Sequence, residues 1–415
     1  MSEENSCCSV SSDCCSVEPQ AGETAGQNEA AGQNERAGQN KTAGQNEAAS
    51  QNKTAGQNER AGQNEEIGAR NADDIIESVK NYYGKHLQSI EDLEVGACCA
   101  APPPAEVREI LPLIADEIVT RFYGCGSPLP PLLEGMTVLD LGCGSGRDVY
   151  VASKMVGESG LVIGVDMTTE QIDIAKKYQD EQRERFGHKS SNVRLLQGYI
   201  EDLGALGIED NSIDVVISNC VINLSPFKEQ VFKEIYRVLR PGGELFFSDV
   251  FADRRIPEPL ASDPVLHGEC LGGVLYAEDF RRLMAACGWA DFRYTSVGNL
   301  DLGSGRIAEL LGFATFSSRT VRAFKLADLE DACEDYGQIA LYDGSISGHP
   351  HHFDLDELHR FVTGKPELVC GNTASMLSNT RYNKAFKVFG DRSAHYGIFD
   401  ACYSEHTSAD SCCGQ

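Results

Sequence analysis

Between residues 137 and 251, short apolar runs alternate with segments whose apolar residues recur every three or four positions. TVLDLG reads as a strand, GCGSG as a turn and DVYVASKMV as a helix. LVIGVDM reads as the next strand and TTEQIDIAKKYQDEQRERF as the next helix, with Thr168 and Gln171 spaced as a capping box. NVRLLQGYI and DVVISN supply two more strands, KEQVFKEIYRVLRPGG a helix stopped by Pro-Gly-Gly, and GELFFSDVF a further strand. Strand and helix in alternation predict an α/β fold with a mostly parallel, doubly wound sheet. Ahead of it, Ile75, Ile76, Val79 and Tyr82 or Tyr83 fall at helical spacing behind Asp73 and Asp74, and AEVREILPLIADEIVTRFYG predicts a second helix. Past 251 the alternation fades, and two smaller units are expected beside the sheet.

Residues 25–66 are seven copies of a six-residue unit, from AGQNEA to AGQNEE. A unit that offers only alanine for burial predicts a disordered tether, not a solenoid. The whole chain has 415 residues, 41% of them hydrophobic, which is material for more than one core. A net charge of −27 argues against nucleic acid and against anionic membranes as partners. The start, MSEENSCC, has neither a basic nor an apolar leader segment, and no stretch approaches the roughly 18 apolar residues of a membrane span, so a soluble cytoplasmic protein is expected. Without an export signal the sixteen cysteines should begin as thiols. The adjacent pairs Cys7–Cys8, Cys14–Cys15 and Cys412–Cys413 suit a soft ion better than a structural disulfide.

The turn VLDLGCGSGRD separates two nucleotide classes. A dinucleotide fingerprint brings glycines to a pyrophosphate. Here Asp140 precedes Gly142, Gly144 and Gly146, and a carboxylate at that place suits a ligand with an ammonium and a sulfonium: S-adenosylmethionine in preference to NAD. Asp166, ending the second strand, is placed for the two ribose hydroxyls, Met167 for the adenine face, and Glu201 after the third strand for the adenine amino group. Taken singly, each glycine is as well explained by a tight turn; the set with the later RPGG-strand step resembles class I S-adenosylmethionine-dependent methyltransferases. Cys143, inside the turn, reads as a small buried residue.

At the end of the fourth strand, where such folds face the transferable methyl group, stands Cys220, with Asn219 beside it to shape the pocket. Cys270 follows in HGECLGG. Each alone is more often a buried small hydrophobe. With Cys98 in VGACCA and Cys125 in YGCGSP, a site for a soft ion becomes the better reading. KNYYGKHL, YGCG, DLGCGSGRDVYV, GVDMT, GYIEDL, SNCVINLS, RPGGELFFSDVFADRR and GECLGG together resemble the arsenite methyltransferase family over 72–325, and the Gly-His and GNTA pieces of 326–390 resemble its C-terminal domain. The resemblance implies arsenic ligands at Cys125, Cys220 and Cys270, and Cys98, chosen over Cys99, as partner in a catalytic disulfide. It implies S-adenosylmethionine as methyl donor, a thiol reductant (thioredoxin or glutathione) to reset the disulfide, and arsenite and methylarsenite, as thiol conjugates, as substrates. Mono- and dimethylated arsenicals would be the products of a monomeric enzyme.

The expected organisation is a disordered tail with repeats at 1–70, an S-adenosylmethionine-binding Rossmann-like methyltransferase domain at 71–250, an arsenite-binding region at 251–325, a small C-terminal domain at 326–400 and a flexible tail at 401–415. Glu269 is a proton acceptor for a thiol, a contact to the metalloid, or a solvated carboxylate. His349, His351, His352 and His359 read as a surface loop before a zinc site, since no cysteine spacing matches. Cys287 reads as core, and Cys333, Cys370 and Cys402 carry no motif. Two other functions fit parts of the pattern: a methyltransferase for a small organic acceptor, which the donor motifs alone permit, and a non-catalytic thiol-rich arsenite-binding protein.

Overall fold

A computed structural model of the chain describes residues 72–87 and 103–399. The repeats, Cys98, Cys99 and the terminal cysteine pairs lie outside the described residues. Eight strands form one sheet: β1 (Thr137–Leu141), β2 (Leu161–Asp166), β3 (Val193–Gln197), β4 (Ile213–Asn219), β5 (Leu239–Ala252), β6 (Leu275–Tyr276), β7 (Arg293–Leu300) and β8 (Phe316–Phe324). Their order is β3-β2-β1-β4-β5-β8-β7, with β6 on the end of β5. The first five are mutually parallel, and β8 and β7 follow antiparallel. The order reverses between β1 and β4, the switch point at which ligands bind in such sheets.

Alternation along the strands explains the two cores. On β1, Val138 faces one cluster with Ile114, Val149 and Ile172. Leu139 and Leu141 face the other, with Phe232 and Phe280. Burial on both faces is why these strands read as continuous apolar runs.

Several expected elements come out differently. Pro112 cannot continue a helix, so the segment 105–120 is Ala105–Ile110, a 3-10 turn at Leu111–Leu113, then Asp116–Thr120. The long helix after β2 is two, Thr169–Lys177 and Gln179–Phe186, and the capping box is not made: the Gln171 amide donates to the Tyr83 carbonyl oxygen at 3.0 Å. The Pro-Gly-Gly step lies within the start of β5. From the segment 251–325, β7 and β8 join the main sheet and so continue the methyltransferase core.

Beyond β8 lie β9 (Glu334–Asp335), β10 (Gln338–Tyr342), β11 (His352–Asp354), β12 (Arg360–Val362), β13 (Pro366–Val369), β14 (Phe386–Phe389) and β15 (Gly397–Ile398), with a helix at Gly371–Ser378. β13-β10-β14 make a small antiparallel sheet whose core, including Tyr342, Phe353 and Tyr382, takes in Phe324 of β8. Under this contact Glu244 of β5, wholly buried, pairs with Arg322 at 2.6 Å and with Arg381, tying the two parts together.

Candidate active site

At the carboxyl ends of β1, β2 and β4 lies a cavity of about 1000 Å³, its open mouth included. The Gly-rich turn forms its floor: Gly142, Gly144 and Gly146 have φ of +70°, +52° and +95°, the left-handed region where glycine is at no disadvantage. A Cβ on Gly142 would fall 2.4 Å from the Val221 side chain, whereas one on Gly144 would meet no atom within 4 Å. Asp166 closes this turn: its carboxylate accepts the Gly144 N–H at 2.9 Å and the Thr168 N–H at 2.8 Å. Both oxygens keep a lone pair for a further donor. Met167 and Glu201 line the cavity; Glu201 accepts the Ser225 hydroxyl.

The electrostatics suit a cationic ligand. Burial holds the Asp140 carboxyl well above the usual range, and the neighbouring Asp148 and Asp166 push it further. Burial raises Asp166 likewise, against its two N–H donors. A cation near these carboxylates relieves that cost. In the same wall, Arg147 stacks 3.3 Å over the Phe122 ring and pairs with Asp148, yet its buried Nη2 has no partner among the described residues. Carboxylates for an ammonium and a spare guanidinium nitrogen for a carboxylate match the amino-acid end of S-adenosylmethionine. Cys143 is buried, and burial with Asp166 and Asp140 drives its thiol pKa up, so it holds no thiolate.

Cys220 borders this cavity. It is bonded to Cys125, ninety-five residues away, with Cα atoms 5.9 Å apart. Cys98, which the resemblance makes a partner in a catalytic disulfide, lies outside the described residues; the disulfide within them joins Cys125 to Cys220. The sequence makes that approach possible. A Cβ on Gly124 would fall 2.5 Å from the Asn219 side chain, and one on Gly126 2.4 Å from Ser248 Oγ, so only glycines let the loop lie flat on the strand ends. Asn219 then grips it, donating to the Gly126 carbonyl at 2.9 Å and accepting its N–H at 3.1 Å. Cys270 arrives from the far loop, its Sγ 3.2 Å from the Cys220 carbonyl oxygen. Cys220 and Cys270 both have left-handed backbones, φ +55° and +61°. For a residue with a Cβ this costs about 1–2 kcal/mol each. Tyr83 donates to the Gly268 carbonyl at 2.9 Å, and Glu269, which is buried, accepts the Tyr82 hydroxyl at 2.7 Å.

The description "Methyltransferase domain" matches residues 132–288, and "Arsenite methyltransferase C-terminal domain" matches 336–414. The chain is 51% identical over 346 residues to the arsenite methyltransferase of Aquipseudomonas alcaligenes, covering 81% of this chain and 99% of that protein. The chain belongs to the arsenite methyltransferase family. The family's mouse member is 42% identical over 322 residues, 77% of this chain and 84% of its own. A crystal structure of an arsenic(III) S-adenosylmethionine methyltransferase from Chlamydomonas reinhardtii superposes with a TM-score of 0.70 at 51% identity, covering 72% of this chain and all of that one.

Within this arsenite methyltransferase, His351 and His352 of the histidine-rich segment are exposed, whereas His359 is buried and pairs with Asp356 at 2.7 Å. No helix among the described residues is long and apolar enough to cross a membrane. Residues that sequence reasoning passed over include Arg147 and the tyrosine pair Tyr82–Tyr83, quoted for the family pattern but given no role.

Proposed function

We propose that this chain transfers methyl groups from S-adenosylmethionine to trivalent arsenic held by Cys125, Cys220 and Cys270, giving mono- and dimethylated arsenicals in arsenic detoxification. The observation that carries it is the convergence, beside the donor cavity that Cys220 lines, of three cysteines from distant parts of the chain: a bond joins Cys125 to Cys220, and Cys270 Sγ lies 3.2 Å from the Cys220 carbonyl oxygen. S-adenosylmethionine, when bound, supplies a methyl group made electrophilic by its sulfonium. Asp140 receives its ammonium, Arg147 its carboxylate, Asp166 the ribose hydroxyls, and Met167 and Glu201 the adenine.

The Cys125–Cys220 bond must open before both sulfurs can take a metalloid, which needs two electrons and two protons from a thiol reductant, thioredoxin or glutathione. Three thiols then replace three arsenic-bound hydroxyls, each exchange releasing one water. Soft trivalent arsenic prefers this sulfur set and keeps a lone pair. The pair attacks the methyl carbon as the carbon–sulfur bond of the donor breaks, and arsenic rises from the +3 to the +5 state. Two cysteine thiolates return two electrons to it and close as a disulfide, ready for the next reduction. No strong base is needed; the protein's part is alignment, which can contribute about 7–11 kcal/mol. Cys98 is proposed to share in this exchange, the region 251–325 to bring Cys270, and the enzyme to act as a monomer in the reducing cytoplasm.

The test is transfer from labelled donor to arsenite with glutathione, for wild type, Cys220→Ser and Cys270→Ser. Label should reach arsenic only with wild type and only with reductant. Arsenite binding without transfer would make the protein a buffer, serine variants that label arsenic as well as wild type would remove Cys220 and Cys270 as its ligands, and no arsenic binding or labelling by wild type would leave an organic acceptor.

A further inference from the structure

The six carbonyls of residues 220–225, the turn that follows β4, are all paired. Cys220 O receives the Cys270 thiol, and Val221 O and Ile222 O take the N–H groups of Leu224 and Ser225 within the turn. The other three are held from outside it. Lys228 Nζ donates to Asn223 O at 2.9 Å and to Ser225 O at 2.8 Å, and His267 Nε2 meets Leu224 O at 3.0 Å. Asn223 itself is anchored: its N–H and side-chain amide donate to the two oxygens of Asp249 at 3.0 and 2.8 Å, and the amide also reaches Val250 O at 2.7 Å. Asn223, Asp249 and His267 are all buried.

The network touches both cysteine loops. His267 stands three residues before Cys270 on the short Pro264–Gly268 helix. The Cys270 loop presses on Asn223 so closely that a Cβ on Gly273 would lie 2.0 Å from its carbonyl oxygen. None of these four side chains lines the donor cavity. The polar network is thus spent on holding one turn against one loop, at the two places where cysteines adopt strained left-handed backbones.

We propose that Asn223, Asp249, Lys228 and His267 are positioning residues for arsenic transfer, fixing the spacing of the Cys220 and Cys270 sulfurs so that both reach one arsenic atom. This rests on the arsenic-ligand reading above. The ammonium of Lys228 also adds positive potential at Cys270, and burial lowers its own pKa to about 8.

The test uses the full-length reduced enzyme with arsenite, and the variants Lys228→Met, Lys228→Arg and Asn223→Ser. Three quantities are read: kcat with the donor affinity, the number of sulfur neighbours by arsenic X-ray absorption, and the melting temperature. A misplacement of about 1 Å costs about 100-fold in rate, so Lys228→Met and Asn223→Ser should lose about 10- to 100-fold in kcat with donor affinity unchanged. Arsenic should have three sulfur neighbours in wild type and fewer in these variants, and Lys228→Arg should restore part of both. Wild-type kcat and sulfur count in a folded Lys228→Met or Asn223→Ser protein overturn the proposal, and so does rate loss with the full sulfur count. If Cys220→Ser and Cys270→Ser themselves keep the full sulfur count, the ligand reading fails instead.

Discussion

Replacing Asp140 by asparagine should move stability and donor affinity in opposite directions. Burial, together with Asp148 and Asp166, raises its pKa in the folded state above the unfolded value. A raised carboxyl favours folding only while protonated; that contribution is lost as pH rises from the ordinary aspartate value through the folded one. At pH 7, above the ordinary aspartate value, Asp140 therefore weighs against the fold, and Asp140→Asn should melt at a higher temperature than wild type without ligand, the gain vanishing in acid. The ligand side has the other sign. A hydrogen bond between ionised groups contributes about 1.5–3 kcal/mol, or about 10- to 150-fold in Kd. Titration calorimetry with S-adenosylmethionine and with S-adenosylhomocysteine should show the loss for both, because both carry the ammonium; a loss confined to the sulfonium compound would reassign the carboxylate. Unchanged affinity, or a lowered melting temperature, refutes the argument.

Three further outcomes follow from particular contacts. Gly142→Ala puts a methyl group into Val221 at a residue with φ of +70° and should weaken donor binding, by calorimetry, by more than tenfold, at about 1–3 kcal/mol of strain. Glu244→Ala leaves Arg322 and Arg381 buried without their shared carboxylate and should cost about 3–5 kcal/mol in urea unfolding; a loss under about 1 kcal/mol would mean the triad is not what ties the C-terminal domain to the sheet. Asn219→Ala frees the Gly126 backbone and with it the Cys125 loop, and should lower arsenite methylation about tenfold while the Cys125–Cys220 bond re-forms more slowly after reduction, followed by thiol titration.

The parallel half of the sheet and its Gly-rich turn were legible because both depend on local pattern: strands buried on two faces read as apolar runs, and the turn needs glycines at fixed offsets. β7 was not, because Arg293–Leu300 is half exposed and pairs only with β8, so no continuous apolar run marks it. Gln171 sits where a capping box would place it, but its partner, Tyr83, is eighty-eight residues away. The positioning network was missed for the same reason. Asn223 and Lys228 stand in SNCVINLSPFK and Asp249 in FFSDVF, each ordinary alone; only the β4–β5 pairing brings them together. The one available signal was a strand ending in an aspartate flanked by apolar residues, which a buried carboxylate needs a nearby donor to justify.

Among the described residues, only Leu132, Asn211, Cys220 and Cys270 have a positive φ without being glycine. At a left-handed position glycine is unstrained and alanine is not, so a cysteine there is explained by its sulfur, not by its backbone. This separates a functional cysteine from a buried one that merely fills space. If Cys270 is only a small core residue, Cys270→Ala should be the milder change, since alanine keeps the Cβ packing. If the backbone is held left-handed by the loop and its contacts, Cys270→Gly should be at least as stable as Cys270→Ala, by up to about 1 kcal/mol, because it relieves the strain although glycine gives up chain entropy. Both variants should lose arsenic methylation alike. Reduced protein unfolded in urea gives the comparison, and an alanine variant clearly more stable than the glycine one would show that Cys270 carries no strain for its sulfur to justify.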